Sequence, residues 1–258
     1  MAVPAPLRFV THEVTLYRRL WHTTLVQFVL WPVLYLAAIG GTLGHTIDRR
    51  APASLGGVHY LPWLAPGLLA STAMQLAVSG SMHPVLGGFK WTRHWLAAAA
   101  TPLRPIDLVS GWMTWQALRL TLASVVFAVV VALVGAVHSA GWLAAVPAAV
   151  LCGLAFAGPT TAYAATRQND SSFANVQRFV ILPFFLFSGT FFPVSQLPVG
   201  LRPVAYVTPL WHGVTLCREL ALGRATAAAI LGHGAVLAAF ALAGTWSAAR
   251  TFQRRLAA

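Results

Sequence analysis

The chain has 258 residues, of which 58% are hydrophobic and 9% charged, with a mean hydropathy of +0.71. A soluble domain carries roughly 25% charged residues, so a soluble fold is excluded and an integral membrane protein is left, long enough for about six spans of roughly 20 residues. The net charge of +12 then reports orientation rather than nucleic acid, because basic residues gather on the cytoplasmic side of membrane proteins.

Residues 1–22 come first. Leu7, Val10, Val14, Tyr17 and Trp21 recur at helical spacing, and Arg8, His12, Thr15, Arg18 and Arg19 take the opposite face. This pattern predicts an amphipathic helix lying along the membrane. The early charges also argue against a cleavable signal sequence. Span one is expected over 24–43, kinked at Pro32, and the polar stretch 44–60 is expected outside.

Span two is expected over 61–82. Ser71, Gln75 and Ser79 recur every four residues along it. That stripe either packs on another helix, as small and hydroxylated residues do, or lines a conduit. Residues 83–105 read HPVLGGFKWTRHWLAAAATPLRP. Phe89, Trp91 and Trp95 alternate with Lys90, Arg93 and Arg104, and an alanine run favours helix until Thr101-Pro102 stops it. This predicts a short cytoplasmic helix with basic and aromatic faces, suited to docking on a soluble partner.

Span three is expected over 110–137. Arg119 lies within it and either snorkels to the surface or has a buried role. Span four follows over 143–165 with Pro147 and Pro159 inside, then an inner loop TRQNDSS over 166–172, then span five over 173–187. Residues 188–224 break at Ser188-Gly189 and carry Pro193, Pro198, Pro203 and Pro209, yet stay apolar and aromatic. Such a segment is too broken to span and too greasy for a solvated loop. It predicts a reentrant pair of short helices at the outer face, since irregular backbone survives at membrane depth only where protein or a water-filled cavity satisfies it. Span six is expected over 225–246, with Arg250, Arg254 and Arg255 in the tail. Ten basic residues fall on the inner side and five, among them Arg202, Arg218 and Arg224, on the outer. Both termini are therefore expected in the cytoplasm. The predicted fold class is all-α: one membrane domain over 1–258, with six transmembrane helices, the interfacial helix and the reentrant hairpin.

Several chemistries are missing. The single lysine, Lys90, sits between Phe89 and Trp91, so no phosphate-binding loop can form. Two cysteines and isolated histidines suggest neither a disulfide framework nor a metal centre. None of the five acidic residues falls in an expected span core, where ion-coupled transporters place theirs. No catalytic residue, resident cofactor or nucleic-acid partner is expected. The arginine and alanine excess points to a GC-rich bacterial genome and hence a bacterial cell membrane, with membrane lipid as a partner.

Three stretches carry a resemblance: FKWTRHWLAAAATPLRPIDLVSG over 89–111, LFSGTFFPVSQLP with TPLWHG and RELALG over 186–223, and the amphipathic helix before span one. Together they resemble the membrane subunit of type-two ATP-binding-cassette exporters, a family that includes lipo-oligosaccharide, polysaccharide and daunorubicin-type drug exporters. The resemblance implies two six-span subunits, identical or related, bound to two cytoplasmic subunits that hold ATP and magnesium. Phe89, Lys90, Trp91, Arg93, Trp95 and Arg104 would couple to those subunits. Ser71, Gln75, Ser79, Phe187, Phe191, Phe192 and Trp211 would line the substrate path or its outer gate. The chain departs from many members in having no acid within Lys90-Trp91-Thr92-Arg93-His94. Two rival readings remain: a secondary transporter or channel, which would work on an ion gradient alone, and a membrane enzyme of lipid intermediates, which would need an acid, base or metal cluster.

Overall fold

The computed structural model describes residues 57–137 and 139–257, with a few isolated positions before residue 57. The expected interfacial helix and span one lie outside the described residues. Regular structure among the described residues is entirely helical. Helix α1 covers Tyr60–Lys90, α2 His94–Ala99, α3 Pro105–Leu133 and α4 Trp142–Ala165. Then come α5 over Phe173–Val176, a π-helical turn over Gln177–Ile181 and α6 over Leu182–Phe187. The broken segment supplies α7 over Arg202–Val207 and α8 over Pro209–Ala221, and α9 runs Ala227–Ala257. Four of these, α1, α3, α4 and α9, are long and apolar enough to cross a membrane, and Phe173–Phe187 is a shorter apolar helix.

Helix α3 shows how such a chain is turned inside out. Leu118, Leu122, Val125 and Val129, spaced three and four apart, are exposed. Gln116 and Ser124 are buried on the opposite side, and Gln116 donates to Ser81 Oγ on α1 at 2.7 Å. Polar groups bond inward and leucines face out, the arrangement a lipid solvent selects. The helix starts five residues earlier than the hydropathy pattern suggests. Pro105 occupies the first turn, where its missing N–H is harmless, and Asp107 accepts the Arg104 N–H at 3.1 Å.

Helix α1 does not end at Met82 as expected. It continues through Pro84 to Lys90, 31 residues in all, or about 46 Å at 1.5 Å per residue. Val85 and Leu86 are fully buried and Phe89 nearly so, and burying three large apolar side chains outweighs the hydrogen bond Pro84 cannot make. The helix expected as span six likewise runs on past Trp246 to Ala257. The segment expected as span five is helical over Phe173–Phe187, shorter than a membrane crossing, and its middle is a π turn. The Leu182 N–H reaches back five residues to Gln177, immediately before Pro183, which has no N–H to give.

Helix α4 packs on both α1 and α9. The α4–α9 crossing is close because glycines face each other. A side chain on Gly158 would meet Gly244 and the Thr245 nitrogen at 2.7 Å, and one on Gly244 would meet the Pro159 nitrogen at 2.7 Å. The bundle therefore has two ends. One gathers the starts of α1, α4 and α9 with residues 188–224. The other gathers the ends of α1, α4 and α9 with α2.

Candidate functional site

At the first end, the break after α6 is held by α1 and α8. Gly189 takes a φ of +82°, which a side chain would resist, and the chain turns there. Thr190 Oγ1 sits 2.7 Å from Ser71 Oγ and 2.9 Å from Ser188 Oγ. Tyr60 Oη donates to the Phe191 carbonyl at 3.0 Å. The centre of this knot is Arg218. Its Nε donates to the Trp63 carbonyl at 3.0 Å, and one terminal nitrogen donates to the carbonyls of Gly189 at 2.9 Å and Thr190 at 3.3 Å. The guanidinium also lies 3.7 Å over the Trp63 ring. Carbonyl dipoles and a π face thus stand where a carboxylate would be expected.

The sequence counts Arg218 among the outer basic residues and gives it no partner; the structure supplies three carbonyls and a ring. Arg218 lies on α8, inside the fold, because Thr208 caps the helix by accepting the Trp211 N–H at 3.3 Å and Pro209 fills the first turn. The outer basic count therefore has one fewer solvated member.

The path residues divide. Ser71 is buried in the hydrogen bond to Thr190, so in this structure it packs rather than lines an open passage. Gln75 is half-buried and Ser79 exposed, its hydroxyl donating to the Leu76 carbonyl at 3.3 Å. Phe187 is exposed, and Phe191 and Phe192 are half-buried. Phe191 meets Phe185 edge-on at 5.0 Å, while Phe192 packs with Trp211 against Val194, Leu197 and Ala205. The structure thus brings Ser71 and Phe191 to one knot and sets Gln75 and Ser79 further along α1. Arg119 is half-buried and donates to the Leu76 carbonyl at 2.6 Å. It turns into α1 rather than out to the surface.

At the second end, α1 stops when the Trp91 and Thr92 N–H groups both bond Gly87 O, at 2.9 and 3.0 Å. Arg93 then adopts a φ of +54°, the one non-glycine among the described residues in that region, and the chain folds back into α2. This elbow sorts the predicted coupling residues. Lys90, Trp91, Arg93 and Arg104 are exposed. Phe89 and Trp95 are not, contrary to the expected docking face. Trp95 is fully buried, its indole N–H donating to the Val85 carbonyl at 3.2 Å. It meets Trp112 edge-on at 5.6 Å and Phe252 at 5.0 Å, and Phe89 meets Phe252 at 5.0 Å. Arg255 closes the cluster from α9, lying 4.2 Å over the Phe89 ring and donating to the Ala165 carbonyl at 2.7 Å. The cluster joins α1, α2, α3 and α9 behind the exposed elbow.

Comparison with known proteins places this architecture. The sequence profile of the ABC-2 type transporter family matches residues 8–222. Nodulation protein J of Rhizobium leguminosarum bv. viciae is 33% identical over 225 residues, covering 87% of this chain and 85% of that protein. Its counterpart in Rhizobium leguminosarum bv. trifolii is 35% identical over 192 residues, 74% of this chain and 71% of that one. That of Bradyrhizobium diazoefficiens is 28% identical over 239 residues, 89% and 91% of the two chains. The chain therefore belongs to the ABC-2 type transporter family, as a membrane-embedded subunit.

Proposed function

We propose that two copies of this chain, or one copy and a related chain, form the passage of an exporter driven by two ATP-binding subunits that carry the ATP and magnesium. The cargo is an amphiphile, a drug, lipid or lipid-linked glycan, moved outward from the cytoplasm or inner leaflet of a bacterial cell membrane. ATP hydrolysis resides in the partner, and this chain is the permease. In this reading the chain has six spans and both termini in the cytoplasm, and 188–224 is a hairpin entering the outer leaflet.

The observation that carries the proposal is the double attachment of α1. Its Lys90 end forms the exposed basic elbow, and its Tyr60 end holds the break at Ser188–Phe191. A helix of this length is a rod. When the ATP-binding subunits close, they move the elbow, and α1 transmits the displacement to Phe187, Phe191 and Phe192, which form the apolar gate. Gln75 and Ser79 border the path between. The exposed face of span five, with Phe179 76% exposed, meets the second subunit. The elbow has no acid of its own, so the partner surface presents carboxylates to Arg93.

The test uses the chain expressed together with its ATP-binding subunit. Arg93→Glu reverses the charge at an exposed residue, and ATPase stimulation by the chain is expected to fall about tenfold, the effect of losing roughly 1.4 kcal/mol of docking. In the same preparation Phe191→Ala should alter transport and leave assembly intact. Normal stimulation with Arg93→Glu removes that residue from the docking surface, and unchanged transport with Phe191→Ala removes Phe191 from the gate.

A further inference from the structure

Two cavities in the bundle share one partition. The larger, about 860 Å³, lies between α4, span five, α7 and α9, with Phe156, Val180, Phe184, Val204, Val207 and Phe240 among its walls. Two of the hydroxyls bordering it are already donating, Thr160 to the Phe156 carbonyl at 2.6 Å and Thr208 to the Ala205 carbonyl at 2.7 Å. Val204 and Val207 in its wall are 62% and 73% exposed, so it is an open cleft, and apolar walls of this kind suit hydrocarbon. The smaller, about 520 Å³, shares Pro159, Tyr163 and Phe240 with the first. It opens toward the loop after α4 and is bordered by Thr166, Arg167, Ser247 and Thr251.

Arg167 stands at the junction. Its guanidinium lies over the Tyr163 ring, 4.4 Å from the centroid, and that ring borders both cavities. Among the described residues the guanidinium makes no hydrogen bond or ion pair. Asp170 sits three residues further along the exposed loop and is not part of the wall. An apolar cleft that adjoins a smaller one carrying hydroxyls and an unneutralised cation complements the polarity and charge of an anionic amphiphile.

We propose that the two adjoining clefts hold one anionic membrane phospholipid, with an acyl chain in the apolar cleft and its phosphate on Arg167 at the rim of the other. A guanidinium can give a phosphate two parallel hydrogen bonds while its face stays on the tyrosine ring. The chain fills the space behind span five, whose Gln177, Arg178 and Phe179 are exposed, and braces that span against α4 and α9. The lipid comes from the cytoplasmic leaflet if the orientation proposed above holds. The site itself does not depend on that orientation or on the identity of the cargo.

The test needs no ATP-binding subunit. The chain is placed in phosphatidylethanolamine nanodiscs containing a small fraction of phosphatidylglycerol with a photoreactive acyl chain, and the labelled residues are mapped. Labelling is expected to concentrate on Phe156, Phe184 and Val204. Arg167 is exposed, so Arg167→Glu should leave the fold intact and lower this labelling about tenfold, while Arg167→Lys keeps most of it. Val180→Trp, which fills the apolar cleft, should lower it as well. Native mass spectrometry of the purified chain should find phosphatidylglycerol retained. Labelling spread evenly onto the outer face of α3 at Leu118 and Val125, or unchanged by Arg167→Glu, overturns the proposal. So does a second chain or a non-phospholipid amphiphile found in the apolar cleft.

Discussion

Arg218→Met should abolish recovery of a folded transporter from membranes, with Arg218→Lys intermediate. Methionine keeps the apolar stem but removes donors to three backbone carbonyls and the cation over the Trp63 ring. A hydrogen bond from a charged group contributes about 1.5–3 kcal/mol, and an orphaned buried carbonyl adds its own desolvation cost. The loss is therefore at least about 3 kcal/mol, concentrated where the break after α6 is held to α1. Lysine can reach one or two of the acceptors but cannot stack its planar fork on Trp63. Size-exclusion profiles of detergent-solubilised variants read this directly. A methionine variant that elutes and melts like the parent would show that Arg218 does not hold the knot.

The second large effect is expected at the α4–α9 crossing. Gly244→Ala puts a methyl group into Pro159, and Gly158→Ala puts one into the Gly244–Thr245 backbone. Neither neighbour is the far end of a flexible side chain, so the helices must separate. Overpacking of this kind costs about 1–3 kcal/mol. Separation also loosens the Phe252 and Arg255 contacts to the elbow at the far end of α9. Thermal unfolding midpoints should therefore fall for both variants, with reduced ATPase stimulation before unfolding. Wild-type midpoints would mean that the crossing tolerates side chains.

The four long described helices were legible because hydropathy over some twenty residues is a strong signal and their loops carry Pro, Gly and charge. Their ends were not. Past Met82 the sequence offers His83-Pro84, a stop by local rules, and only the tertiary burial of Val85, Leu86 and Phe89 carries α1 onward. Phe89 and Trp95 misled for a related reason. Aromatics alternating with basic residues look like an exposed docking face, but the elbow at Arg93 folds the two rings back onto each other and onto Phe252. Phe252 lies some 160 residues away in sequence, beyond any local pattern. The role of Arg218 was not legible because the sequence treats it only as one of the outer-side charges. A signal existed: Thr208-Pro209 opens a helix, and an arginine nine residues after that proline, in a segment too apolar for a solvated loop, must find partners. The alternation of Ser71, Gln75 and Ser79 on α1 left packing and lining open, and the hydrogen bond to Thr190 decides it only for Ser71.

The central claim is that this chain supplies a route across the bilayer and draws its energy from another polypeptide. Vesicles holding the chain with its ATP-binding subunit, and vesicles holding the chain alone, can be loaded with a fluorescent acylated oligosaccharide and followed over time. The account predicts probe movement with both subunits and ATP, and none from the chain alone under a proton or sodium gradient. Gradient-driven movement by the chain alone would contradict it.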